Sequence, residues 1–251
     1  MRRVLTFLLL VPGLSACRET PVALFGSVAV SFATSATPAV PLSPIPAPRV
    51  DTVTAGADTL VIESVELVLR EIDFEPALVA DCDLDPKPDG CEEVEIGPVL
   101  VDLPLVPGVA QQFDVQIPPG TYVEIEFEVH KPSDDDAADS VFLAAHPEFA
   151  DSSIRVRGTF NGAAFSYTTD LNVEQELMLA PPLDIVEAEA TNVTIFVDVS
   201  TWFVTAAGAL VDPATANKGG TNANLVRDNI IGSFRAFEDR DGDGDDGDET
   251  P

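Results

Sequence analysis

The sequence predicts an all-β protein, an antiparallel β-sandwich with one amphipathic helix near its C-terminus. Short segments alternate apolar and polar residues, and turn-forming pairs such as Asn161-Gly162 separate them. Helical segments do not alternate with the strands, as they would around a parallel sheet. The clearest strand spans residues 121–131. Its inward set is Val123, Ile125, Phe127 and Val129, and its outward set is Tyr122, Glu124, Glu126, Glu128 and His130.

The N-terminal half contains two strands around a proline-rich loop. Residues 27–33 alternate and form the first strand. The loop spans 34–56, because proline donates no hydrogen bond to a sheet and favours extended backbone before it. Residues 58–75 alternate in shifting registers, which indicates β-bulges or a bend. A helix is the alternative there, but the β-branched residues disfavour it.

The remaining chain adds further strands and one helix, giving eight to ten short strands in an immunoglobulin-like or transthyretin-like sandwich. Near the end the apolar spacing changes to three and four residues, which predicts a helix over about 223–237 that Gly232 weakens. The further strand segments are 94–106, 111–117, the hairpin 153–173, 175–180 and 191–203.

The net charge of −30, from 43 acidic and 13 basic residues, limits the partners of this chain. A surface this acidic repels nucleic acid and anionic lipid headgroups, so we expect no nucleic-acid partner. Divalent cations, basic partners or simple solubility fit this charge better. The apolar fraction of 45% is enough for a packed core.

The N-terminus predicts a lipid anchor. Two arginines precede an apolar run over 4–11, which is far shorter than the ~20 residues that cross a bilayer. Residues 14–17, Leu-Ser-Ala-Cys, resemble the lipobox of bacterial lipoproteins, in which the cysteine receives diacylglycerol and then palmitate. Cys17 is therefore the predicted lipidation site, and Arg18 after it favours the outer membrane. The alternative is an ordinary secretory signal with an incidental cysteine.

These patterns divide the chain into four parts. They are the signal peptide 1–16, a lipidated tether 17–21, a sandwich domain 22–237 and an acidic Asp/Gly tail 238–251.

Cys82 and Cys91 are predicted to form a structural disulfide. Export to an oxidising compartment leaves them as an even pair once Cys17 is lipidated. The eight residues between them are rich in Asp, Pro and Gly, which favours a turn. A zinc site would need more Cys or His nearby, and a catalytic thiol would need a base.

The tail carries half of an EF-hand-like calcium motif. Aspartates occupy positions 1, 3 and 5, and Gly244 occupies position 6, so that one turn points several carboxylates at one hard cation. Position 12 is Thr250 instead of the bidentate Glu, and the alternative is a solvated acidic tail. The candidate Ca²⁺ ligands are Asp239, Asp241, Asp243 and Asp245.

Two more acidic clusters are weaker candidates. In the cysteine loop, Pro86 stands where an EF-hand has glycine, and proline cannot take the positive φ of that turn. The cluster 133–139 is predicted to be a loop. The cysteine-loop acids are Asp81, Asp83, Asp85, Asp89 and Glu92.

Several segments together are similar to bacterial lipoproteins that carry a β-sandwich domain of unknown function. The resemblance covers roughly 22–245 and implies an envelope location and a sandwich fold, without catalytic residues. Its motifs are Cys17, "SVELVLREI", "IPPGTYVEIEFEV", "SIRVRGTFNG", Trp202-Phe203, "DPAT" and the phenylalanine-rich segment that runs into the Asp-Gly repeats.

No catalytic motif is visible, so the sequence predicts a non-enzymatic protein. His130 is expected on the outer face of a strand and His146 in a polar connection, and no Gly-x-Ser-x-Gly or His-Glu-x-x-His motif occurs. The expected function is a lipid-anchored envelope module that binds or scaffolds an envelope protein or glycan. A carbohydrate-binding or adhesive module is the alternative, although Trp202 is expected in the core. An envelope hydrolase is disfavoured. Glu124, Glu126 and Glu128 could suggest the paired carboxylates of a glycoside hydrolase, but alternate residues on the outer face of a strand are expected to be solvated charge.

Overall fold

The structure, a computed structural model, describes residues 25–34, 51–77, 93–106 and 108–246. Strands make up 53% of the described residues and form two open sheets, which confirms the predicted all-β sandwich. The strands are β1 Gly26–Thr34, β2 Asp51–Ala55, β3 Asp58–Pro76, β4 Glu93–Asp102, β5 Ala110–Ile117, β6 Gly120–Val129, β7 Ile154–Phe160, β8 Ala163–Thr169, β9 Val173–Ile185, β10 Ala190–Val197 and β11 Phe234–Glu238. The α-helices are α1 Ala137–Ala145 and α2 Ala223–Ile231, and short 3-10 turns span Pro147–Phe149, Val199–Thr201 and Pro213–Thr215.

The smaller sheet has the strand order β11-β10-β1-β5. Its central strand β1 buries Val28, Val30 and Phe32 completely, as its alternating sequence predicts. β1 pairs antiparallel with β5 but parallel with β10. This parallel pair of described strands departs from a wholly antiparallel sandwich, because no hairpin joins β1 to β10. The chain builds the larger sheet between them, and so long a crossover permits parallel pairing.

The larger sheet has the order β8-β7-β3-β6-β9, and β2 and β4 also pair with β3. β3 is 19 residues long. Its residues 60–67 pair with β7 and its residues 69–76 pair with β6. Register shifts interrupt β3 near Ile62 and again after Leu69. These bulges confirm the prediction made from the shifting alternation of 58–75.

The core lies between the two sheets. The inward residues of β10 and of the turn after it, Val193, Ile195, Val197 and Val199, are all fully buried, as the alternation predicts. Trp202 is also fully buried. Its indole N–H donates to Ser233 Oγ at 2.8 Å, which satisfies the polar atom that a buried tryptophan carries.

The β6 strand departs from its predicted alternation at its start. Tyr122, expected to face solvent, is 3% exposed, and its hydroxyl donates to the carbonyl of Pro118 at 2.8 Å. Val123 is only half-buried. The pairing of β6 with β9 shifts register between Tyr122 and Glu124. This bulge reverses the face that the first residues present, because a shift by one residue exchanges the two faces of a strand.

The acidic cluster 133–139, predicted to be a loop, is a loop and turn over 133–136, but its last three residues begin helix α1. Asp136 is the N-cap, and its side chain accepts from the backbone N–H groups of Ala138 and Asp139 at 2.8 and 3.1 Å. These bonds lower the pKa of the Asp136 carboxyl. The helix covers a second, smaller core of Val68, Phe142 and Phe149. The prediction was wrong for 137–139, because acidic residues are also favoured at the N-cap and in the first turn of a helix.

The predicted helix 223–237 is present only as α2, which ends at Ile231. Gly232 is its C-cap, and residues 234–238 become the edge strand β11 on β10. Phe234 and Ala236 face inward and Arg235 faces outward, so the segment also satisfies a two-residue period. At this edge of the sheet the backbone N–H and C=O groups of β10 need hydrogen-bond partners, and pairing with them selects the strand over the helix.

Part of the predicted loop 34–56 is ordered as strand β2, which forms a hairpin with β3. Gly56 has φ +65° in the turn between them, a conformation that glycine adopts without strain. Residues 35–50, which contain most of the prolines, lie outside the described residues.

Candidate functional site

The aspartates predicted to bind calcium follow directly after β11. The backbone N–H of Asp239 donates to the carbonyl of Asn192, which extends the pairing of β11 with β10 by one residue. Asp239 is only 1% exposed. The first part of the predicted acidic tail therefore begins inside the folded domain and not in solvent.

The Asp239 carboxylate holds the loop that follows it. Its Oδ1 accepts from the backbone N–H groups of Gly242 at 2.7 Å and Asp243 at 3.2 Å. Its Oδ2 accepts from the N–H of Gly244 at 3.0 Å and from the hydroxyl of Thr194 at 2.7 Å. Four donors therefore converge on one buried carboxylate and tie the loop to β10. The sequence analysis did not identify Thr194, because this residue lies far away along the chain on β10.

Carboxylate oxygens of Asp239, Asp241 and Asp243 all lie within 4.8 Å of one another. The predicted spacing therefore brings three of the four proposed ligands together. The fourth, Asp245, is not in this group; its backbone N–H donates to Asp243 Oδ1 at 3.0 Å. Gly244 has φ +89° at the position where an EF-hand loop uses glycine.

A second acidic group lies on the larger sheet and combines Glu75 of β3 with Glu124 and Glu126 of β6. Their carboxylate oxygens are also within 4.8 Å of one another, and all three side chains are half-buried. Glu75 lies directly opposite Glu124 in the ladder. Like charges directly opposite one another cost free energy in a sheet. The sequence analysis considered Glu124, Glu126 and Glu128 alone, and only the strand register adds Glu75.

His130 is not on the outer face of its strand, as predicted, but buried. The residue is 6% exposed, and Nε2 lies 2.9 Å from both carboxylate oxygens of Asp139. The Asp139 carboxylate also accepts from the backbone N–H of Ser133 at 2.8 Å. Nδ1 is 3.7 Å from Glu128 Oε1. The prediction failed because helix α1 covers the end of β6 and brings Asp139 onto the ring. His146, at the C-cap of α1, is half-exposed.

Several predicted site residues lie outside the described residues. They are the lipidation site Cys17, the cysteines Cys82 and Cys91, and the acidic residues Asp81, Asp83, Asp85, Asp89 and Glu92. Their assignments stay predictions.

Comparison of the chain with protein-family models, with curated proteins and with solved structures gives no match. The resemblance to bacterial lipoproteins therefore rests on its sequence motifs alone. Among the described residues, neither α-helix has the length and hydropathy that a membrane span requires.

Proposed function

We propose that this chain is a non-enzymatic, lipid-anchored module of the bacterial cell envelope whose sandwich binds or scaffolds an envelope protein or glycan. The observation that carries the proposal is the segment Leu-Ser-Ala-Cys at 14–17, directly after a short apolar run. Diacylglycerol and palmitate on Cys17 would hold the domain at the membrane, since two or more acyl chains make a stable anchor. Arg18 favours the outer membrane as its location.

The environment of His130 supports a non-enzymatic role. Both oxygens of Asp139 engage Nε2, and the ring is nearly fully buried. This pair connects β6 to α1, as a structural ion pair or hydrogen bond does. The full burial of Trp202 also removes the one tryptophan as a platform for stacking a sugar.

The anchor is tested by labelling cells with radioactive palmitate. We expect label in the wild type and none in Cys17→Ala, which should also leave the membrane fraction. Cys82→Ala is the matched control, because it removes a different thiol and should keep the label. Equal labelling of wild type and Cys17→Ala would refute the anchor.

We further propose that Ca²⁺ stabilises the loop that Asp239 begins. The specific observation is the approach of three carboxylates to within 4.8 Å on the motif spacing. Asp239 is a poor residue for the test, because its four protein hydrogen bonds hold the loop with or without calcium. Asp241 and Asp243 are exposed, so their substitution changes the charge with little effect on packing.

The calcium test compares melting temperatures in EDTA and in millimolar CaCl₂. We expect calcium to raise the melting temperature of the wild type and to have no effect on Asp241→Asn with Asp243→Asn. The control is Asp134→Asn with Asp135→Asn, which removes the same charge from the exposed segment before α1 and should keep the shift. A wild type without a calcium shift contradicts the proposal.

A further inference from the structure

Two large apolar side chains are exposed at the end of the sandwich where the chain enters β1. Phe25 is 44% exposed and Val186 is 49% exposed. Single exposed apolar residues are ordinary on a protein surface. Two at neighbouring positions, beside the point where the chain enters the domain, call for a physical account. This end, formed by Phe25 and the turn 186–189, is called the entry end below.

The backbone holds Phe25 against the turn 186–189, which joins β9 to β10. The carbonyl of Phe25 accepts from the N–H of Ala188 at 3.3 Å. Gly26 packs so closely on the same turn that a Cβ at this position would lie only 3.0 Å from the carbonyl oxygen of Val186. The start of β1 is therefore fixed on the turn, and Phe25 stays beside Val186.

The proposed lipid anchor is close to the entry end along the chain. Phe25 is eight residues after Cys17, and a fully extended chain of that length spans at most about 28 Å. An acylated Cys17 would therefore keep the entry end within this distance of the bilayer. So short a tether makes contact between this end and the membrane intramolecular, which favours even a weak apolar contact.

Helix α1 lies at the opposite end of the sandwich. Gly120, the first residue of β6, pairs with Ile185 beside the entry end, whereas Asp139 of α1 contacts His130, which directly follows β6. The ten residues of β6 separate the two ends by about 33 Å. Val141 of α1 is 73% exposed, so it offers an apolar side chain that the tether does not hold near the membrane.

Acidic side chains surround the apolar pair and select the kind of lipid that fits it. Asp184, Glu187 and Glu189 are all exposed in the same segment. Carboxylates at this position repel anionic headgroups, whereas the ammonium groups of zwitterionic lipids attract them. The charge of the entry end therefore favours a zwitterionic lipid surface over an anionic one.

We propose that the entry end contacts the zwitterionic surface of the membrane that holds Cys17, with Phe25 and Val186 inserted among the headgroups. This contact rests on the lipid anchor proposed above. Apolar side chains of membrane-surface proteins reach about 5–10 Å into the boundary between headgroups and acyl chains. The domain then has one orientation on the membrane, in which α1 points away from the bilayer.

The test is fluorescence quenching in vesicles of phosphatidylcholine that carries bromine on the acyl chains near the headgroup. The full-length, acylated variants Phe25→Trp and Val141→Trp are compared, and flotation with the vesicles is measured for both. We expect about twofold quenching of Phe25→Trp, because its ring would lie at the depth of the bromines, and no quenching of the matched control Val141→Trp. The wild type corrects for Trp202, which is fully buried. Both substitutions are at exposed positions, so both variants should fold normally.

A second pair of measurements tests the lipid preference. Brominated vesicles that also contain phosphatidylglycerol should quench Phe25→Trp less, because the carboxylates repel this anionic lipid. Adding Glu187→Gln and Glu189→Gln to Phe25→Trp should restore the quenching. Equal quenching of Phe25→Trp in both kinds of vesicle would overturn the preference for zwitterionic lipid.

The outcomes separate the contact from the anchor. Protein that does not float with the vesicles refutes the anchor, and the contact with it. Protein that floats but shows equal quenching of Phe25→Trp and Val141→Trp keeps the anchor and overturns the orientation. A second copy of the chain on the same surface would shift the emission of Phe25→Trp with protein concentration and without quenching, which also overturns the membrane contact.

Discussion

Replacement of Asp239 by alanine should destabilise the protein even when calcium is absent. The substitution removes the acceptor for three backbone N–H groups, those of Gly242, Asp243 and Gly244, and for the Thr194 hydroxyl. Hydrogen bonds to a charged acceptor contribute about 1.5–3 kcal/mol each. Water can replace part of these hydrogen bonds, because Asp241 and Asp243 in the same loop are exposed. We therefore expect a net loss of about 3 kcal/mol of unfolding free energy.

Asp239→Asn should cost less than Asp239→Ala. Asparagine keeps one oxygen, which can still accept from Gly242 and Asp243. Its amide nitrogen would then face the N–H of Gly244, so one donor opposes another. The expected cost is about half of that for alanine, on the same energy scale.

The assay is urea denaturation in EDTA, followed by the fluorescence of Trp202. A loss of about 3 kcal/mol corresponds to a fall of about 6–12 °C in melting temperature for a domain of this size. Asp241→Ala, at an exposed position, is the control and should stay within about 0.5 kcal/mol of the wild type. If Asp239→Ala has the same free energy of unfolding as the control, then the buried carboxylate does not hold the loop.

Three further substitutions test separate features of the packing. Burial raises the pKa of Asp51 above its ordinary value of 3.8. Ionisation therefore costs stability as the pH rises through the folded pKa, and Asp51→Asn should raise the melting temperature at pH 7 but not at pH 3; an equal effect at both pH values would contradict this. Gly244→Ala should lower the free energy of unfolding, measured by urea denaturation, by about 2 kcal/mol or more, because φ is +89° and a Cβ would lie 3.0 Å from two side chains. Gly242→Ala is the control and should lower it less, because the space around Gly242 is open. Ser233→Ala should lower the free energy of unfolding by about 1–3 kcal/mol in the same assay, because the buried indole N–H of Trp202 loses its acceptor. An unchanged free energy would mean that another acceptor replaces Ser233.

Alternation and turn chemistry predict most of the fold because both are local. The inward residues of β1 and β10 follow a period of two without interruption. Asn161 and Gly162, predicted as a type I′ turn, have φ of +52° and +80°. At these positions the neighbours along the chain already determine the conformation.

Two segments depart from prediction because a distant partner decides them. Residues 234–238 fit either a helix or a strand, and the open edge of β10 selects the strand. His130 continues the outward set of β6 in sequence, but α1 covers it. Neither β10 nor α1 is adjacent to the segment that it determines, so no local pattern carries the information.

The candidate sites divide in the same way. Asp239, Asp241 and Asp243 come together on one turn, so their spacing predicts the cluster. Glu75 meets Glu124 only through the register of two strands. Asp139 meets His130 only after α1 packs over the end of β6, and a sequence pattern has no means to show this.

The position of β1 determines how the domain would respond to mechanical load. β1 is the first described strand after the N-terminus, and it lies between β10 and β5 with ladders on both sides. Ladder hydrogen bonds run across the strand direction, so tension applied at the N-terminus along β1 would shear both rows at once and not open them one bond at a time. A sandwich tethered by that end to a membrane would therefore bear traction through a strand with partners on both sides, and extraction of β1 would separate β5 from the rest of the smaller sheet.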